Sequence, residues 1–107
     1  MIKQWVGELQ ATANEEHLAI LRQGLDAWNR WRIEHLEIQA DIFGADLSEA
    51  IFSGANLRNA DLRNANLINA NLSNADLGGA NLMFANLVKT NFTKAKLAGC
   101  RFYGISA

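Results

Sequence analysis

From residue 40 to residue 104 the third position of a five-residue frame is apolar every time: Ile42, Leu47, Phe52, Leu57, Leu62, Leu67, Leu72, Leu77, Leu82, Leu87, Phe92, Leu97 and Phe102. The first position of the frame is Ala in eleven of thirteen units, with Thr90 and Cys100 as the exceptions. The second is Asn or Asp in ten, the departures being Ile51, Lys96 and Arg101. An α-helix cannot use a period of five, because 3.6 residues per turn carries the apolar residue around every side of the helix. A plain strand cannot use it either, since an odd period moves that residue to the opposite face at each repeat. The chain must bend once per unit.

The fifth position supplies the bend. It is Gly44, Gly54, Gly79, Gly99 and Gly104, or Asn59, Asn64, Asn69 and Asn74, the residue types that accept a positive φ at the third position of a type II turn. Short extended pieces joined by corners, with one small and one bulky residue always turned inward, wind the chain into a solenoid. Four units per coil would close a square of twenty residues, although three or five sides satisfy the same periodicity.

Residues 1–39 follow a different rhythm. Ile2, Trp5, Val6 and Leu9 recur at helical spacing, and the pattern weakens at Gly7 and around Thr12 to Asn14. Asn14 is a candidate N-cap, with Glu15 and Glu16 placed where the helix dipole favours negative charge. Beyond it Leu18, Leu21, Leu25 and Trp28 form one apolar row and Ile20, Gly24, Ala27 and Trp31 an adjoining one, which predicts a single helix whose polar face carries Arg22, Gln23, Asp26, Asn29 and Arg30. The open first coil would expose strand edges and the rims of Ile42, Leu47, Phe52 and Leu57, and terminal units of solenoids need cover. The expected division is therefore a helical cap or flanking segment, 1–39, and a β-helical array, 40–107.

The array itself carries a family resemblance. The successive units ANLRN, ADLRN, ANLIN, ANLSN and ADLGG, residues 55–79, resemble the pentapeptide-repeat family, whose motif is A(D/N)LXX, and the thirteen units cover 65 of 107 residues. The resemblance implies an all-β solenoid, a right-handed quadrilateral β-helix of about three coils, here with an N-terminal α-helical cap. Residues 17–32 also resemble leaders that precede the repeats in many bacterial proteins of this kind. The expected structural core is Leu47, Phe52, Leu57, Leu62, Leu67, Leu72, Leu77, Leu82, Leu87, Phe92, Leu97 and Phe102.

Composition narrows the function. The net charge is −1, with four basic and six acidic residues in 1–39 and six basic and five acidic in 40–107, so neither part is a nucleic-acid footprint. No apolar run of membrane-spanning length and no export signal is legible, and a single cysteine excludes an internal disulfide and fits a cytoplasmic protein. His17 and His35 read as packing or surface residues, Cys100 as a core thiol in an Ala slot, and the many Asn and Asp residues recur by architecture. The expectation is no enzyme, no cofactor and no metal site.

What remains is a structural or protein–protein interaction module. Unwrapped by twenty, the outward positions Phe43, Met83, Phe84 and Tyr103 fall near one face, with Ile68 and Val88 on the next, an apolar stripe that something should cover. The helical segment folded down the side is the first candidate occupant and a partner protein the second. The last coil leaves Leu87, Phe92, Leu97 and Phe102 facing along the axis, and some family members dimerise through C-terminal coils, so a homodimer is expected. Lys89, Lys94, Lys96 and Arg101 read as a solvated basic rim. The alternative implied by the resemblance is a DNA mimic that binds a type II topoisomerase such as DNA gyrase. That role needs a long acidic rod, whereas the array is net basic by one and short beside a ~34 Å turn of DNA.

Overall fold

The computed structural model describes residues 13–107, so the helical spacing of Ile2, Trp5, Val6 and Leu9 lies outside the described residues. Parallel bridges join residues twenty apart in sequence, from Asp41 with Asp61 to Asn86 with Ser106. Twenty residues are four units, which decides between the possible side numbers: each coil has four corners. Within a unit the ladder alternates direction. The Asn66 N–H donates back to Ala45 O at 2.9 Å, while those of Leu67 and Asn69 donate forward to Asn86 O and Val88 O at 2.9 and 3.1 Å. Ser106 carries this ladder past the thirteenth unit, donating to Ala85 O and accepting from the Leu87 N–H, because backbone pairing does not depend on the motif's side chains.

Each corner is closed by a bond from the next unit's first residue to the third residue's carbonyl, as from Ala70 N–H to Leu67 O at 3.0 Å. All thirteen fifth positions have positive φ, including Glu49, Phe84, Lys89 and Lys94 at 59–63°. These four side chains do not favour that conformation. They adopt it because the coil must turn there. The second position has a local role: in all ten units where it is Asn or Asp, Oδ1 accepts the N–H two residues on, as Asn66 does from Ile68 at 3.1 Å. This Asx contact pre-forms the corner within one unit.

Inside, Leu57, Leu62, Leu67, Leu72, Leu77 and Leu82 are at most 2% exposed, and Leu47, Phe52 and Leu87 are also buried. The first-position residues form a small-residue layer beside them. Its two polar substitutes both donate to the coil before, Thr90 Oγ1 to Leu67 O at 2.7 Å and Cys100 Sγ to Leu77 O at 2.9 Å. Burial pushes the Cys100 thiol up from its ordinary pKa. Assigning the whole apolar column to the core needs correction at its end. Phe92 and Leu97 are only half-buried and Phe102 is 36% exposed, because no coil of the described residues lies over them.

The expected single helix is two. Helix α1 (Glu15–Arg22) starts at Asn14, whose Oδ1 accepts from the N–H groups of Glu16 and His17 at 2.9 and 3.2 Å. Helix α2 (Leu25–Glu34) follows Gly24, whose φ of 117° and ψ of 172° break the run. That backbone state is open to glycine and strained for other residues. The break lets Leu18 and Leu21 of α1 and Trp28 of α2 all join the buried core of the array.

Candidate functional site

In the interior coils each second-position N–H donates to a first-position carbonyl of the coil before, and its C=O accepts from the third-position N–H of that coil. Among the described residues no coil precedes the first one. On two of its four sides, side chains and one loop amide take that place. The Asp41 N–H donates to His17 Nδ1 at 3.0 Å and its C=O accepts from the Asn14 N–H at 3.1 Å. The Asn56 N–H donates to Asn29 Oδ1 at 2.8 Å and its C=O accepts from Trp28 Nε1 at 2.8 Å. Asn29 Nδ2 also donates to Gly54 O at 3.2 Å, and Gln39 Nε2 to Asn59 O at 3.1 Å. The polar face assigned to the helix is thus wrong for Asn29. An amide side chain offers a donor and an acceptor together, as a missing strand would.

On the other two sides, Asp46 and Ile51, the backbone N–H and C=O have no such partner among the described residues. A cleft of about 300 Å³ opens beside them, lined by Leu21, Arg22, Gly24, Leu47, Ile51 and Phe52 among others. Ile51 is 75% exposed in a slot that holds Asn or Asp in ten of the thirteen units.

Trp31 organises the aromatic part of the cap. Its ring centroid lies 4.7 Å from His17, 5.3 Å from Trp28 and 5.4 Å from His35, and the Arg32 guanidinium is 5.2 Å away. Arg32 is buried, and its Nη1 donates to Ile38 O at 2.8 Å. Burial lowers its pKa, opposed by Glu37. Burial likewise holds His17 below the ordinary imidazole value, with Arg32 adding to the effect and Asp41 and Glu16 opposing it.

The expected outer stripe is divided. Arg63 lies in the column between Phe43 and Met83, its guanidinium 5.0 Å from the Phe43 ring centroid and bonded to both carboxylate oxygens of Asp61 at 2.9 and 2.8 Å. Phe43 and Met83 are half-buried. Phe84 and Tyr103 stay exposed, packed edge to face with centroids 5.7 Å apart. Among the described residues α1 and α2 do not cover them and meet the first coil instead, where their side chains find unpaired backbone groups. Ile33, Leu36 and Ile38, after the middle of α2, are exposed apolar residues that the sequence reading did not single out. Lys89, Lys94, Lys96 and Arg101 are all exposed.

Among the described residues no group of three or more His, Cys, Asp and Glu side chains could hold a metal ion, and no helix is long and apolar enough to cross a membrane. A chain of recurring corners wound into stacked parallel coils, with helical side chains bonded to two sides of the first coil, defines a repeat solenoid.

The family described as Pentapeptide repeats matches residues 40–79 and 65–104 in eight copies, and the chain belongs to it. Membership implies a right-handed β-helical solenoid, and proteins of this family are generally structural. Among solved structures the chain is similar to the pentapeptide-repeat protein Rfr23 from the cyanobacterium Cyanothece 51142, at 33% identity over 61% of this chain and 51% of that one, with a TM-score of 0.47. It is also similar to HetL, a pentapeptide-repeat protein involved in heterocyst differentiation regulation from Nostoc sp. strain PCC 7120, at 35% identity over 61% of this chain and 35% of that one, with a TM-score of 0.29. A third, alr5209 from Nostoc PCC 7120, is 27% identical over 58% of this chain and 75% of that one, with a TM-score of 0.26. The chain thus spans about half the length of the first of these and about a third of the second. No curated protein matches it.

Proposed function

We propose that this chain is a non-catalytic protein–protein interaction module of the bacterial cytoplasm, a quadrilateral β-helix of about three coils in residues 40–107 with residues 1–39 as its cap. The reading rests on one contrast. At the first coil, three helical side chains and the Asn14 amide satisfy the Asp41 and Asn56 backbone, whereas the last coil keeps Phe102 and Tyr103 36% and 73% exposed beside Phe84. A second copy of the chain is the proposed occupant of that apolar end, through its own C-terminal coil. Sedimentation of the full chain over a range of dilutions tests this: a dimer that Tyr103→Glu converts to monomer with unchanged circular dichroism supports the reading, and a wild-type monomer at all concentrations removes it. For a different protein partner, capture from the host by wild type but not by a variant with polar replacements at Met83, Phe84 and Tyr103 is the expected result. The gyrase-directed DNA mimic has less support, since exposed Lys89, Lys94, Lys96 and Arg101 oppose an acidic face; inhibition of gyrase supercoiling by the purified chain would restore it.

A further inference from the structure

We propose that the helical cap is an acid-released latch with His17 as its catch: the neutral imidazole fastens α1 to the first coil, and protonation at Nδ1 releases it. The chemistry follows from the partner. The backbone N–H of Asp41 can only donate, so the Nδ1 that meets it at 3.0 Å must present its lone pair, and the ring proton sits on Nε2. An imidazolium carries a proton on both nitrogens and would set one N–H against another.

His35 is an internal comparison. Its Nδ1 lies 3.0 Å from Trp31 O, which can only accept, so that nitrogen donates and the bond survives protonation. Both rings pack on Trp31, yet only His17 has a contact that the added proton destroys. The charged groups facing His17 come from each element around it: Glu16 on α1, Asp41 on the coil and Arg32 on α2. The two carboxylates favour the charged ring and Arg32 disfavours it, while burial is the largest influence and keeps the ring neutral in the closed cap. The same ring touches Trp31, which packs on Trp28, the residue that holds the Asn56 carbonyl. Release at His17 therefore loosens a contiguous aromatic unit and frees the Asp41 edge.

Amide exchange on the full chain, corrected for the intrinsic pH dependence of exchange, reads the latch directly at the Asp41 N–H and the Trp28 indole N–H. Below about pH 6.5 the opening equilibrium of wild type is expected to rise by up to about ten-fold per pH unit, until the ring is charged in the closed cap as well. His17→Asn places an amide Oδ1 near the position of Nδ1 and has no proton to take, so its profile should be flat, whereas His35→Asn should keep the wild-type profile. An acid response in His17→Asn equal to that of wild type, or none in wild type, overturns the latch. The ring nitrogen shifts of wild type give a second reading independent of any variant: the Nε2–H tautomer is expected at neutral pH, and an Nδ1–H tautomer or a charged ring there would also overturn it.

Discussion

The indole Nε1 of Trp28 donates to the carbonyl oxygen of Asn56 at 2.8 Å across twenty-eight residues of sequence, and the neighbouring Asn29 accepts from the Asn56 N–H at the same distance. Two consecutive helical residues thereby act as the strand that the first coil lacks. Trp28 is fully buried and belongs to the same apolar core as the inner column of the coils.

Trp28→Phe keeps most of the packing but strands the Asn56 carbonyl, and should cost about 1–3 kcal/mol. Trp28→Ala adds a cavity and should cost about 3–5 kcal/mol. Urea unfolding followed by far-ultraviolet circular dichroism measures both, and a Trp28→Phe variant as stable as wild type would show that the hydrogen bond contributes nothing.

Position along the axis should grade the cost of core truncation. Leu67→Ala lies between coils on both sides and should lose about 2–5 kcal/mol, while Phe102→Ala, already 36% exposed, should lose clearly less. Leu67→Asp should abolish folding, since the carboxylate would have no partner on the dry axis. A soluble, cooperatively unfolding Leu67→Asp would refute the dry-axis architecture.

Glu49 holds a φ of 63° while its N–H donates to Ile68 O at 2.8 Å. Glu49→Asn introduces a residue that tolerates this conformation and should raise stability by roughly 0.5–1 kcal/mol, whereas Glu49→Val should lower it by at least about 1 kcal/mol. Thermal melts of the pair give the sign.

Two pH windows are separable. His17 is held below the ordinary imidazole value of about 6.5, so between that value and its folded value the unfolded chain binds the extra proton. Stability from His17 is therefore complete above about pH 6.5 and falls as pH drops through its folded value. The Asp46 carboxylate is held below its ordinary value by the Ser48 hydroxyl, at 2.7 Å, and the Ser48 N–H. Its contribution disappears only in stronger acid, below about pH 4. Denaturation against pH should show both steps in wild type, the second alone in His17→Asn and the first alone in Ser48→Ala with Asp46→Asn.

How much of this was legible varied by residue. The recurrence of Leu57, Leu62, Leu67 and their relatives marks the inner column directly, because only a chain that turns once per unit can keep them on one side. The Asn and Asp column is equally readable, since its Asx contact spans two residues. The cap was legible as apolar helical chemistry, but Gly24 fits an apolar row on paper and breaks the helix in space. Asn29 reads as a solvated residue until the Asn56 edge is placed beside it, and Arg63 divides a stripe that a one-dimensional unwrapping makes continuous.

Alone, the sequence determined that the chain coils, which side chains face the axis and where Asn and glycine ease the corners, because each of these follows from spacing within one or two units. Only the tertiary structure decided that four units close a coil, that Glu49 and Phe84 must turn like glycine, and that His17, Trp28 and Asn29 pair with the Asp41 and Asn56 sides of the first coil. Those outcomes depend on which backbone groups are left without a partner when distant segments meet, and spacing along a chain does not encode that meeting.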